Sequence, residues 1–113
     1  MNEATDRPEA ITDALEAALA PLREKHGELI VLDKDGDVAA FRRINGPEYK
    51  RFRAKLFDEK KRPDALEEIT RVCLVHPDKA AFEAMLVRRP ALADAFGEQL
   101  LEVAGAGKAE RRA

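Results

Sequence analysis

Glu28-Leu-Ile-Val-Leu-Asp33, Lys34-Asp35-Gly36-Asp37 and Val38-Ala-Ala-Phe-Arg-Arg-Ile44 form one continuous stretch, and its reading decides the fold. Two β-prone runs flank Asp35-Gly36, a dipeptide suited to the two-residue turn whose twist matches a hairpin. With Asp35 and Gly36 as the loop, Leu32 faces Ala39 and Ile30 faces Phe41. Side chains alternate along a strand, so these four residues share one face, which is the expected core face. The other face carries Val31, Ala40, Asp33 and Arg42. A lone hairpin is only marginally stable in water, so helices must cover it.

Upstream, residues 1–7 read as frayed, and Pro8 suits a first helical turn. Ile11, Leu15, Leu19 and Leu22 then recur at helical spacing. Pro21 either kinks this helix or stops it, with a short turn continuing to His26; Gly27 is the expected C-cap. Downstream, Asn45-Gly46-Pro47 is a turn and helix start. The helix is expected over 47–61, with Tyr49, Phe52 and Leu56 on one face and Phe57 beside them. Pro63 and Asp64 open a third helix bearing Leu66, Ile69, Val72 and Cys73, which His76-Pro77 ends. Asp78 caps a fourth, with Phe82, Met85 and Leu86 as its stripe. Pro90 begins a fifth, with Leu92, Phe96, Leu100 and Val103 facing inward, closed by Gly105 and Gly107. The fold class is therefore α+β: an N-terminal helix, one antiparallel β-hairpin (28–44) and a bundle of about four short helices. One compact domain spans 8–106, and 107–113 reads as a flexible tail.

A chain of 113 residues fits one domain. Trp is absent and only five Phe and one Tyr are present, so the core must be mostly aliphatic. A single cysteine, Cys73, allows no internal disulfide and fits a reducing compartment. The N-terminus lacks the basic and apolar regions of a secretory signal, and no apolar run approaches the roughly 20 residues that cross a bilayer. The expected location is the cytoplasm, with no membrane partner.

The net charge of −2 hides an asymmetry. Residues 1–41 carry 4 basic and 10 acidic groups, 42–62 carry 9 and 3, and 63–113 carry 7 and 9. The middle segment is a basic island in an acidic chain. It can meet an anionic partner, or dock on acidic surface of its own chain or of a neighbouring subunit, so self-association is a further option.

No chemical motif survives inspection. Asp33, Asp35 and Asp37 suggest a calcium loop, but an EF-hand counted from Asp33 needs Gly and Glu where Val38 and Ile44 stand. His26 and His76 are far apart and in no ligand spacing. Cys73 lies on an apolar stripe, as a buried structural thiol does. The chain contains no serine, and Gly105-Ala-Gly107-Lys108 lacks the spacing and hydroxyl of a phosphate loop. Glu67-Glu68 reads as solvated helix surface. No catalytic, metal-binding or cofactor-binding residue is expected, and the protein reads as a non-enzymatic binding protein.

Arg42, Arg43, Lys50, Arg51, Arg53 and Lys55 could contact phosphates, which would make the chain a small DNA-binding regulator using helix 47–61. Against this, the last three helices, the alternative helix-turn-helix, are net acidic. A helix that docks another protein through Arg43, Tyr49, Phe52 and Arg53 is the favoured reading; the alternative is that Tyr49 and Phe52 belong to the core.

The run Val38-Ala-Ala-Phe-Arg-Arg-Ile-Asn-Gly-Pro-Glu-Tyr-Lys-Arg-Phe-Arg53 resembles small tail assembly chaperones of tailed phages and prophages. Val72-Cys-Leu-Val-His-Pro-Asp78, Arg89-Pro90-Ala-Leu92 and the closing Leu-Leu-Glu-Val-Ala-Gly105 are similar to the same group. The resemblance implies a protein that binds tape measure and tail tube proteins while a tail is built in the cytoplasm of a bacterial host cell, often with a longer frameshifted form. This sequence departs from the pattern at Asn45-Gly46, where a Pro-Thr-like turn is common, and at His76, where an aromatic is common.

Overall fold

The computed structural model describes residues 3–112, and the side chains of 13–112. The elements run α1 (Glu3–His26), β1 (Ile30–Lys34), β2 (Asp37–Phe41), α2 (Gly46–Leu56), a single 3-10 turn (Arg62–Asp64), α3 (Ala65–Cys73), β3 (Leu74–His76), α4 (Lys79–Arg88) and α5 (Leu92–Val103). This is the α+β class the sequence implies, with the N-terminal helix first, the hairpin next and four further helices after it. Among the described residues no helix is long and apolar enough to cross a membrane.

The hairpin forms in the expected register, with Ile30 opposite Phe41 and Leu32 opposite Ala39. Asp35 and Gly36 have φ of 53° and 95°, so both loop residues take the left-handed conformation a type I′ turn needs. Asp33 Oδ1 accepts from Gly36 N at 2.8 Å and tightens the loop. Ala39 and Phe41 are fully buried in the main core with Phe82, Leu86, Leu92, Phe96 and Leu100, and Ile30 and Leu32 pack at its edge. Phe41 meets Phe96 at 5.5 Å and Phe82 at 6.2 Å between ring centroids, so the strand seats its one aromatic between α4 and α5.

The reverse face of the sheet is also covered. Ala40 is fully buried there against Leu19 of α1 and Leu29, with Leu15, Leu22 and Val75 around them. The sheet is thus a middle layer: α1 lies on one face and the α4–α5 pair on the other. Both faces being covered suits Ala40, whose small side chain lets a helix approach β2.

Five expectations need correction. The sheet has three strands in the order β1-β2-β3, because Leu74–His76 leaves α3 and pairs antiparallel with β2. α3 therefore ends at Cys73, before His76-Pro77. α2 ends at Leu56, short of 61: Phe57 is its C-cap, Asp58 Oδ1 accepts from Lys60 N at 2.9 Å, and Arg62 Nε donates to Leu56 O at 2.6 Å. That local turn takes up the free end of the helix. Val103 is 41% exposed, unlike Leu92, Phe96 and Leu100 on the same helix. At the N-terminus, α1 is helical from Glu3, so residues 3–7 of the segment read as frayed lie in the helix, while residues 1 and 2 are outside the described chain. Of the two options at Pro21, the helix continues through it to His26, and Gly27 N closes it on Arg23 O at 2.8 Å.

α3 and α5 approach closely. A Cβ added at Gly97 would lie 2.5 Å from Thr70 Oγ1 and 2.7 Å from Leu66 Cδ1, so the helix crossing depends on glycine there. Thr70 is fully buried, and its hydroxyl lies 2.7 Å from Leu66 O and 3.1 Å from Ala93 O, so it has a partner on its own helix and one across the crossing.

Candidate functional site

The basic island divides once its ion pairs are drawn. Arg42 leaves β2 and turns inward. Its guanidinium holds Glu48 with two bonds, at 2.9 and 2.6 Å, and donates to Val72 O at 3.3 Å. Glu48 is 8% exposed. It also forms a capping box with Asn45: Asn45 Oδ1 accepts from Glu48 N at 2.9 Å, and Glu48 Oε1 accepts from Asn45 N at 3.0 Å. One carboxylate therefore starts α2, ties it to the strand exit and, through Arg42, to the end of α3. The Arg42 guanidinium holds the Glu48 carboxyl below the usual carboxylate range, against the upward push of burial and with help from the Asn45 N–H.

Arg43 pairs with Glu28 and Lys55 with Glu68. Three of the six cations that could have faced phosphates are thus matched within the chain. Lys50, Arg51 and Arg53 remain on the outer face of α2, exposed and without an acidic partner among the described residues. Lys60 and Lys61 continue the cationic surface into the following turn.

The four residues expected to form a partner surface separate in the same way. Phe52 is buried with Ala65 and Ile69, which corrects its assignment to the surface: it holds α2 onto α3. Tyr49 is half-buried at the margin of that cluster, 6.1 Å from the Phe52 ring. Arg53 Cζ lies 5.7 Å from the centre of the Tyr49 ring, so the guanidinium is carried on the aromatic face while remaining exposed. Arg43 is exposed but engaged with Glu28. The site keeps Arg53 and the outer edge of Tyr49, and loses Phe52.

Sequence reading missed Phe57. It is 83% exposed at the end of α2, next to Leu56 at 37%. The sequence reading set it beside the inward stripe, whereas helical spacing carries it about 140° round from Phe52, onto the outer side. Behind this surface a shallow groove runs between α2 and α3, floored by Phe52, Ala65 and Ile69 and rimmed by Arg51, Lys55, Glu68 and Val72. Val72, on the α3 stripe by sequence, is 52% exposed at this rim.

Of the residues weighed for chemistry, the aspartates of the turn have structural partners. Asp37 takes Arg89 at 2.7 Å and Arg88 at 3.2 Å, and Asp35 takes Arg89 at 3.3 Å. Arg89 also donates to Lys34 O at 2.8 Å, so α4 is fastened to the hairpin turn. The Arg89 guanidinium, with Arg88, holds the Asp37 carboxyl below the usual range. Cys73 is fully buried, and burial pushes its thiol up to about 11. His26 is exposed at the end of α1 and His76 half-buried in β3. No group of three or more His, Cys, Asp or Glu side chains is placed to hold a metal ion among the described residues.

This arrangement of a three-stranded sheet between α1 and an α4–α5 pair, with α2 standing at one side, has a solved counterpart. The uncharacterised protein RBSTP2171 from Bacillus stearothermophilus is 24% identical with a TM-score of 0.71, over 83% of this chain and 98% of that one, a likeness of fold. The chain belongs to the family described as a domain of unknown function, DUF6848, whose model matches residues 22–112. No curated protein matches it.

Proposed function

We propose that this protein binds other proteins through the outer face of α2 and the turn after it, and that it serves as an assembly chaperone for phage or prophage tails. The observation that carries the binding proposal is the pairing of a nearly bare Phe57 with cations at Lys50, Arg51 and Arg53 that have no acidic partner among the described residues, on one short segment. An apolar anchor among cations suits a partner segment that is acidic and apolar, such as an amphipathic helix with carboxylates beside its apolar stripe. The sequence resemblance supplies the class of partner: tail tube and tape measure proteins, held through transient contacts while their apolar surfaces are exposed.

The DNA-binding reading has less support. Arg42, Arg43 and Lys55 are consumed by Glu48, Glu28 and Glu68, and α5 presents Asp94, Glu98 and Glu102 to solvent. Phosphate contacts from α2 would have to come from three residues of an eleven-residue helix, with Lys60 and Lys61 in the turn after it.

The test is co-purification of the tagged full chain with co-expressed tail tube and tape measure proteins. The proposal expects both to be retained, and expects loss with Phe57→Ala combined with Arg51→Glu and Arg53→Glu. Failure to retain either protein would overturn the tail-assembly reading. Steep salt-dependent binding to a preferred DNA site would favour the regulator instead.

A further inference from the structure

We propose that β1 is a self-pairing edge: two copies of this chain join β1 to β1 antiparallel about a two-fold axis at Val31, making one continuous six-stranded sheet. β1 is the outer strand of the order β1-β2-β3. Lys34 and Asp37 flank the two-residue turn and are therefore a hydrogen-bonded pair. Alternation then makes Asp33 with Val38, and Val31 with Ala40, pairs whose N–H and C=O groups point away from each other. The other side of β2 agrees: Arg42, two residues beyond Ala40, donates its N–H outward to Cys73 O at 2.9 Å. The backbone groups of Val31 and Asp33 thus face off the sheet, and among the described residues no other segment of backbone bonds to them. Arg89 reaches only Lys34 O, at the strand's end.

An open edge of this kind is ordinarily guarded by proline, a bulge or a charge at its centre. β1 has no proline or bulge, its charges Asp33 and Lys34 stand at its turn end, Val31 nearer its start is 38% exposed, and the irregularity in the sheet lies between β2 and β3. The sequence around Val31 is complementary to itself when reversed. A two-fold axis at Val31 sets Val31 against Val31 of the second copy, Asp33 against Leu29, and Lys34 against Glu28. Lys34 and Glu28 are both exposed; Glu28 stands just before β1 and already holds Arg43, so in the dimer it is shared between the two cations. Of the neighbouring registers, an axis at Leu32 sets Asp33 against Val31 and Lys34 against Ile30, leaving both charges opposite apolar residues, and an axis at Asp33 sets two aspartates face to face.

A contact confined to one strand and its flanks is small, so the dimer is a weak one. It is tested on the full chain by sedimentation from about 10 μM to about 1 mM, a range that captures weak dimers. The expected result is a monomer–dimer equilibrium. Val31→Lys, which places two ammonium groups in opposition, should raise the dissociation constant about tenfold or more. Glu28→Lys and Lys34→Glu should each weaken the dimer, and the double variant should recover it. Glu28→Lys also breaks the ion pair with Arg43, but the double variant lacks that pair too, so recovery reports the register. A chain that stays monomeric throughout, a dimer indifferent to Val31→Lys, or a double variant weaker than both singles would overturn the proposal.

Discussion

The hairpin turn and α2 are both crowded with charge, and the fold treats them in opposite ways. At the turn, Asp35 and Asp37 are met by Arg88 and Arg89 from 51 to 54 residues away, and the crowd becomes a fastening between α4 and the sheet. On α2, one carboxylate, Glu48, is drawn inward with Arg42, while Lys50, Arg51 and Arg53 are left facing water. A cluster of charge is informative about function only after its internal partners are subtracted. By that measure the aspartate-rich turn is architecture, and the outer face of α2 is available for binding.

The comparison can be broken at several points. The largest effect belongs to the inner face of α2. Phe52→Ala removes a buried ring and should cost about 3–5 kcal/mol in chemical denaturation, whereas a loss under about 1 kcal/mol would return Phe52 to the surface. Next is Glu48→Ala, which strips the capping box and leaves Arg42 half-buried without its partner; a loss of about 2 kcal/mol or more is expected. Because the folded Glu48 carboxyl titrates below its ordinary value, its contribution is full above about pH 4.3 and disappears as the pH falls through the folded value. Wild type should therefore lose stability over that acid range faster than Glu48→Gln, and parallel curves would contradict the assignment. Arg89→Ala should cost about 1 kcal/mol by releasing the turn, measurable as a shift in the urea midpoint. The smallest effect is on the outer face: Lys50→Glu, Arg51→Glu and Arg53→Glu should each move stability by no more than about 0.5 kcal/mol.

Legibility in the sequence followed the same division. The hairpin register was readable because Asp35-Gly36 fixes the turn and a period of two fixes the faces. β3 was not, because Leu74-Val-His76 continues the apolar stripe of α3 and three residues are too few to show a period; its strand character comes from the vacant side of β2. The end of α2 was hidden for a different reason. No glycine or proline stands between Pro47 and Pro63, and the stop is made by Asp58 and Arg62 folding back on the chain. Phe57 was concealed separately, by being grouped with the inward stripe although helical spacing sets it about 140° from Phe52. The basic island itself was visible, but which of its cations are spoken for depends on Glu28, Glu48 and Glu68, two of them brought there only by the fold.

The central claim is that α2 has a structural inner face and a binding outer face. The most direct measurement compares thermal stability and retention of the co-expressed tail proteins for one variant, Arg51→Glu with Arg53→Glu and Phe57→Ala. The account predicts a midpoint within a few degrees of wild type, about 4 °C, together with loss of the partner. A variant that keeps both its stability and its partner would contradict it.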